Sequence, residues 1–476
     1  MEGPAQAWAT RALVAAAALA APVALVSPLA IAPLFVVAAL ACLPCFVAAR
    51  AWRELAAPLP ALLAAGIAWA GASAAWAIDP ARVATSLPPI AISAGGGLVL
   101  IAAARRLAEP ARAKLGMALA AGIGLALSVL SVEAMARYLD MLPTPHARIV
   151  ALLGRGFDPA ILNRATTVVA ISCWIAAALA WRHGRRALAL MLPLWTIAIL
   201  PAFSSQAAIL AWLAGAASAI GAASAPRLAR AAMVAGIAGG FSLMPAIPNW
   251  APFHDHFADR GQTGSVWHRA EIWSFVAGRI AERPLLGWCA GGACALAAAM
   301  APRVARIAMA SCMVAGFALM PLVPNWAPFH DHFADRTQTG SVWHRAEIWS
   351  FVAGRIAERP LLGWGLDSSR AMPGGKDKVD GANEVLPLHP HNGILQLWLE
   401  LGAIGAAIGA AIAMRAAWRA TDPDEDPATR FAMAGSLAAA LAVYATAYGA
   451  WQGWWMATLW LVAAFASAST RAGRPR

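Results

Sequence analysis

Charge is scarce in this chain: 13% of its 476 residues are Asp, Glu, Lys or Arg, against 61% hydrophobic. That is too little polar surface to cover several soluble domains, and a mean hydropathy of +0.62 excludes an ordinary globular enzyme. Acids are scarcer than bases, 24 Asp and Glu against 36 Lys and Arg, which leaves a net charge of +12. A balance of that sign would suit a nucleic-acid partner, but no loop gathers enough basic residues to form such a domain. Cysteine is also sparse, and all six residues (Cys42, Cys45, Cys173, Cys289, Cys294, Cys312) fall in apolar runs, which excludes a disulfide framework. The "CLPC" at 42–45 has CxxC spacing without a nearby His or carboxylate, so it reads as two small core residues rather than a redox or zinc motif. The amino terminus carries one basic residue, Arg11, ahead of its first apolar run and no cleavage site, the pattern expected of a retained anchor.

What is abundant is apolar runs of about 17–23 residues, each about long enough to cross a hydrocarbon core as a helix. Backbone polar groups in lipid must be satisfied within the segment, so these runs are expected to be helices. The sequence predicts an all-α polytopic integral membrane protein with about fourteen transmembrane helices, amino and carboxyl termini inside. Arg50 and Arg53, the Arg105–Lys114 cluster, Arg182, Arg185 and Arg186, Arg227 and Arg230, Arg303 and Arg306, and Arg415 and Arg419 then share one side. The positive-inside rule makes that side the cytoplasm and accounts for the basic balance. The organisation expected is N-terminal transmembrane helices over 1–136, a periplasmic loop at 137–165, transmembrane helices over 166–247, a large periplasmic loop at 324–390, and C-terminal transmembrane helices over 391–476.

A shift of 76 residues superposes "PNWAPFHDHFADRGQTGSVWHRAEIWSFVAGRIAERPLLGW" on a second copy in which only Gly261 becomes Thr337. Repeat architectures drift at exposed positions and need about three units, whereas these copies agree even where loop residues are free to vary. The units 215–290 and 291–366 read as a recent tandem duplication adding two spans, 285–301 and 307–323, to a twelve-span protein.

Chemistry concentrates in the regions expected on the outer face. "HPHN" (His389–Asn392) precedes a membrane helix, whose free amides and positive dipole end would favour an anion. Asn392, Gln396 and Glu400 recur every fourth residue, a polar stripe whose cost inside a membrane points to function. Arg164, Arg336, Arg345 and Arg370 are suited to bidentate phosphate contacts, while Arg355 and Arg359 read as helix anchors. "SVWHRAEIWSFVAGRIAERP" has helical spacing, with Trp343, Ile348, Phe351 and Val352 forming an apolar face suited to lying on the membrane. "HDHF" (His330–Phe333) lacks a second ligand cluster, and no metal site is expected.

Together "R…W" at Arg345–Trp349, "PLLGWG" at Pro360–Gly365 and "HNGILQLWLELG" at His391–Gly402 resemble the O-antigen ligase and polymerase family. "FDPAILNR" (Phe157–Arg164), "SSQAA" (Ser204–Ala208) and "WQGWW" (Trp451–Trp455) are supporting echoes. The resemblance implies metal- and cofactor-independent glycosyl transfer at the periplasmic face of the bacterial inner membrane. It implies His391 as general base with His389 as its alternative, and Arg345, with Arg336 and Arg164, on the pyrophosphate of an undecaprenyl-linked glycan donor. Asn392, Gln396, Glu400 and Trp349 are implied as supporting residues. The acceptor implied is lipid A-core or another glycan, with membrane lipids as the surroundings and no nucleic acid. A polymerase extending the lipid-linked glycan and, from another class, a membrane transporter are the alternatives. Relatives carry Arg where this chain has Gln206, and of the two copies the family's order favours Arg345 over Arg269.

Overall fold

The structure, a computed structural model, describes residues 3–48, 50–55, 58–139, 141, 143–152, 160–203, 205–246, 341–378 and 384–470. Among these residues there is no strand, only an isolated bridge between Lys378 and Glu384. The helices are α1 (Pro4–Val26), α2 (Ile31–Ala48), α3 (Pro58–Ala72), α4 (Pro80–Arg105), α5 (Glu109–Tyr138), α6 (Pro145–Leu152), α7 (Ala160–Arg182), α8 (Arg186–Ile199), α9 (Gln206–Ser224), α10 (Pro226–Leu243), α11 (Ser341–Glu358), α12 (Gly393–Ala420), α13 (Pro427–Thr446) and α14 (Gly453–Ser467).

Ten helices among the described residues are long and apolar enough to cross a membrane; α14 is a shorter apolar helix, and α10 is not among the ten. The chain is a multi-pass membrane protein. The expected spans 285–301 and 307–323 lie outside the described residues. So do His330, Asp331, His332 and Arg336, and of the expected 137–165 loop much is helical, in α6 and the first turn of α7.

The sequence starts its helices with local chemistry. Asp79 precedes Pro80 and its side chain accepts the Ala81 and Arg82 amides at 3.1 and 3.3 Å. Asp426 precedes Pro427 and accepts those of Ala428 and Thr429 at 3.1 and 3.2 Å. Each Asp satisfies amides that have no helical partner, and proline at the first position forfeits only a bond the helix could not make.

The chain forms two compact units: Met1–Phe241 with Leu361–Ser368 and His391–Arg476, and Ser242–Pro360 with Ser369–Pro390. In the first, α13 lies along α9 and α7, α1 along α5 and α2, and α14 along α4. One end of this bundle is tied by arginines. Arg112, 2% exposed, donates to the carbonyls of Leu107 and Arg105 at 2.7 and 3.0 Å and to those of Ala468, at 3.1 Å, and Thr470. Arg430 donates to Ala222 and Ala223 at 2.8 and 3.2 Å, and Arg182 to the Ser469 carbonyl and the Asp426 carboxylate. The last carbonyls of a helix have no partner in the helix and form its negative pole, so a guanidinium there satisfies both. The sequence reading counts Arg112 and Arg182 as connector charges; they are girders between helix ends.

In the second unit, α11 presents Ile348, Val352 and Ile356 at four-residue spacing, 1%, 0% and 3% exposed. This face is covered by protein, which corrects the expectation that α11 lies with it open to the membrane. Arg355 donates to Glu358 at 2.9 Å and to the Pro373 carbonyl at 3.1 Å, so it braces the turn at Pro373 rather than anchoring in lipid.

Candidate active site

At the bundle end opposite the arginine girders, α12 breaks. Gly402 has φ 65° and ψ −166° within an otherwise helical run, which interrupts the backbone ladder and leaves carbonyls to be satisfied elsewhere. Inside a membrane that demand is strict, and the "PLLGWG" turn meets it. Trp364 N–H donates to the Leu399 carbonyl at 2.9 Å and Gly365 N–H to the Glu400 carbonyl at 2.8 Å. The Leu401 carbonyl accepts Trp69 Nε1–H at 2.9 Å. A Cβ on Gly402 would sit 2.2 Å from the Leu361 oxygen. The two motifs therefore meet here, each supplying what the other's backbone lacks.

Glu400 is 0% exposed, and its carboxylate is surrounded by donors. Oε2 accepts Trp451 Nε1–H at 2.6 Å and the Asp367 amide at 2.7 Å, and Oε1 accepts Gln396 Nε2–H at 2.9 Å. Gln396 Oε1 in turn accepts the Ala450 amide at 2.7 Å. A buried carboxylate is tolerated only when hydrogen bonds replace its water; here they bind the stripe of α12 to the loop between α13 and α14.

That loop also holds His391. The ring Nδ1 lies 3.0 Å from the Ala447 carbonyl, an acceptor only, so Nδ1 carries a proton in this contact. His391 has φ 55°, a left-handed conformation uncommon outside glycine and expected where surrounding contacts over-determine it. Beside it, Asn392 Oδ1 accepts the amides of Ile394 and Leu395, both at 3.0 Å. The free amides expected at the start of α12 are thus taken by the chain's own cap. Asn392 Nδ2 is buried with no hydrogen-bond partner. Tyr448, next to Ala447, meets Thr167 hydroxyl to hydroxyl at 3.3 Å, and the half-buried Arg164 lies three residues before Thr167 on α7.

The predicted residues thus fall into two groups. His391, Asn392, Gln396, Glu400 and Arg164 belong to the first unit; Arg345, Trp349 and His389 belong to the second. In the second, Trp349 Nε1–H donates to the Pro390 carbonyl at 2.7 Å, His389 is buried, and Arg345, one turn before Trp349, is half-buried on α11. Lys376 bonds Glu384 at 2.8 Å and the Pro387 carbonyl at 2.7 Å, and its hydrogen bond holds the Glu384 carboxyl below the usual range. Sequence reasoning missed Asp367, Ser73 and Trp69. Trp451 had a signal, the "WQGWW" echo.

The apolar helices define a multi-pass membrane protein, in which the break in α12 brings a sequestered carboxylate and an oriented histidine to one end of the bundle. Residues 289–410 match the family model described as O-Antigen ligase. A Rickettsia conorii protein described as a candidate polysaccharide ligase is 51% identical over 69 residues, 14% of this chain and 17% of that protein. Its counterpart in Rickettsia felis is 34% identical over 125 residues, 25% of this chain and 31% of the relative, and that of Rickettsia typhi is 33% identical over the same length. The matches support a similarity of this part of the chain to the O-antigen ligase family, in agreement with the resemblance carried by its motifs. They span less than a third of the relatives' length.

Proposed function

We propose that the protein is a glycosyltransferase of the bacterial inner membrane that joins an undecaprenyl-pyrophosphate-linked, O-antigen-type glycan to lipid A-core at the periplasmic face. His391 Nε2 takes the proton of the acceptor hydroxyl as its oxygen attacks the anomeric carbon. The bond from that carbon to the pyrophosphate oxygen breaks, and Arg345, with Arg336 and Arg164, meets the charge that develops on the leaving group. No metal or other cofactor is required. On this reading the regions 137–165 and 324–390 face the periplasm and the arginine girders the cytoplasm, as the positive-inside rule would orient them. The observation that carries the reading is that His391, oriented by the contact of its Nδ1 with the Ala447 carbonyl, lies inside the segment that matches the family.

The test is the lipopolysaccharide profile of a deletion strain carrying the His391→Ala gene. Loss of the polymer ladder with lipid-linked polymer accumulating supports a ligase, whereas core bearing a single repeat unit supports a polymerase. A complete ladder sinks the assignment of the base. The break in α12 favours one rival, since transporters build midplane sites on interrupted helices. Here, though, Trp364, Gly365 and Trp69 occupy the carbonyls that an ion would need.

A further inference from the structure

The near-identical stretches 226–288 and 302–364 end on the same "PLLGW", and the next residue then differs: Cys289 after the first copy, Gly365 after the second. Gly365 has φ +99°, beyond the left-handed well that asparagine or aspartate can share and open to glycine alone. A Cβ there would stand 2.3 Å from the Ala77 Cβ and 2.6 Å from its Cα. Those atoms belong to the fixed turn ahead of α4, where Ile78 N–H donates to the Trp364 carbonyl at 3.1 Å. The next two residues continue the docking, Leu366 N–H to Ser73 Oγ at 3.0 Å and Asp367 N–H to Glu400 Oε2 at 2.7 Å. Leu366 is 1% exposed, and its counterpart in the first copy is Ala290.

We propose that the break in α12, with Ala77 and Ser73 facing it, is a selective seat: it admits the copy ending in Gly365 and rejects the copy ending in Cys289. Gly365 is the discriminating position, because any side chain there needs a forbidden backbone and a place already filled by Ala77. The order of motifs alone prefers Arg345 to Arg269; the seat supplies a physical reason why the two copies are not exchangeable, and it holds whatever reaction the protein performs.

Cross-linking in membranes tests this without reference to activity. In a full-length chain whose native cysteines are replaced by alanine, Ser73→Cys is paired with Leu366→Cys or with Ala290→Cys and treated with oxidant or a short bifunctional thiol reagent. The pair 73 and 366 links and the pair 73 and 290 does not. Linking of 290 to 73 at a comparable yield overturns the proposal. Two single variants supply an independent readout by thermal melting of the purified protein: Gly365→Cys lowers the midpoint or the accumulated amount, and Cys289→Gly changes neither. A Gly365→Cys protein with both midpoint and accumulated amount unchanged also overturns it.

Discussion

The two ends of the helical bundle spend their polar groups differently. At one end Arg112, Arg182 and Arg430 donate into backbone carbonyls at helix ends, and the chemistry stops there, since an arginine saturated by carbonyls has nothing left to offer a substrate. At the other, Glu400 and Gln396 accept from a tryptophan and from the backbone of two separate loops, and the product of that bonding is a positioned histidine. The lesson is that a buried charge is not evidence of a site by itself. What distinguishes the second end is that it carries His391, whose ring is held at Nδ1 by the Ala447 carbonyl, beside the carboxylate network.

Substitutions at the two ends should separate on that basis. His391→Ala is expected to cost the largest factor, about 100-fold or more in transfer for the loss of a general base, with the amount of protein in the membrane unchanged on immunoblots. Arg112→Ala strips the bonding partner from four carbonyls at the ends of α4 and α14. At roughly 1.5–3 kcal/mol for a hydrogen bond to a charged group, it should lose about 3 kcal/mol of stability in thermal melts while transfer per folded molecule persists. Glu400→Gln keeps the shape but turns an amide toward donors. It should lose about 2 kcal/mol and, unlike Arg112→Ala, also lower kcat, because the loop that orients His391 loosens. Equal effects on kcat from both ends would erase the distinction.

Acid provides a milder probe of the girdered end. Burial by itself raises the Asp426 pKa, but the Thr429 hydroxyl and Arg182 outweigh it and hold the carboxyl below its ordinary 3.8. A group whose folded pKa is depressed contributes stability above its unfolded value and loses it as pH falls through the folded one. The wild type should therefore melt earlier from roughly pH 4 downward, and Asp426→Asn should flatten that part of the profile. The smallest effect is expected at Trp349→Phe, which removes one hydrogen bond to Pro390 and should cost about 1 kcal/mol by the same melts.

Much of this was legible in the residues. Apolar runs located the helices because lipid allows little else, whereas the Asp-Pro pairs that start α4 and α13 gained their meaning only in the structure. The four-residue spacing of Asn392, Gln396 and Glu400 announced a shared face, and the structure joins Gln396 to Glu400 directly. The break in α12 was not legible, since Gly402 is one glycine among several in an apolar helix and its meaning depends on the distant turn at 361–365. The saturation of the α12 amides by Asn392 was open to a local reading, because asparagine before a helix is a strong cap, and that cap takes the amides an anion would need. Arg112 misled for a general reason, since the positive-inside count weighs a charge by its side of the membrane and is blind to whether it is buried.

The central claim is that the histidine end transfers and the arginine end only holds. The direct measurement is glycan transfer from an undecaprenyl-pyrophosphate-linked donor to lipid A-core by purified protein in liposomes, with wild type, His391→Ala and Arg112→Ala normalised to folded protein. Transfer lost in His391→Ala and kept in Arg112→Ala is the predicted result; transfer kept in His391→Ala would contradict it.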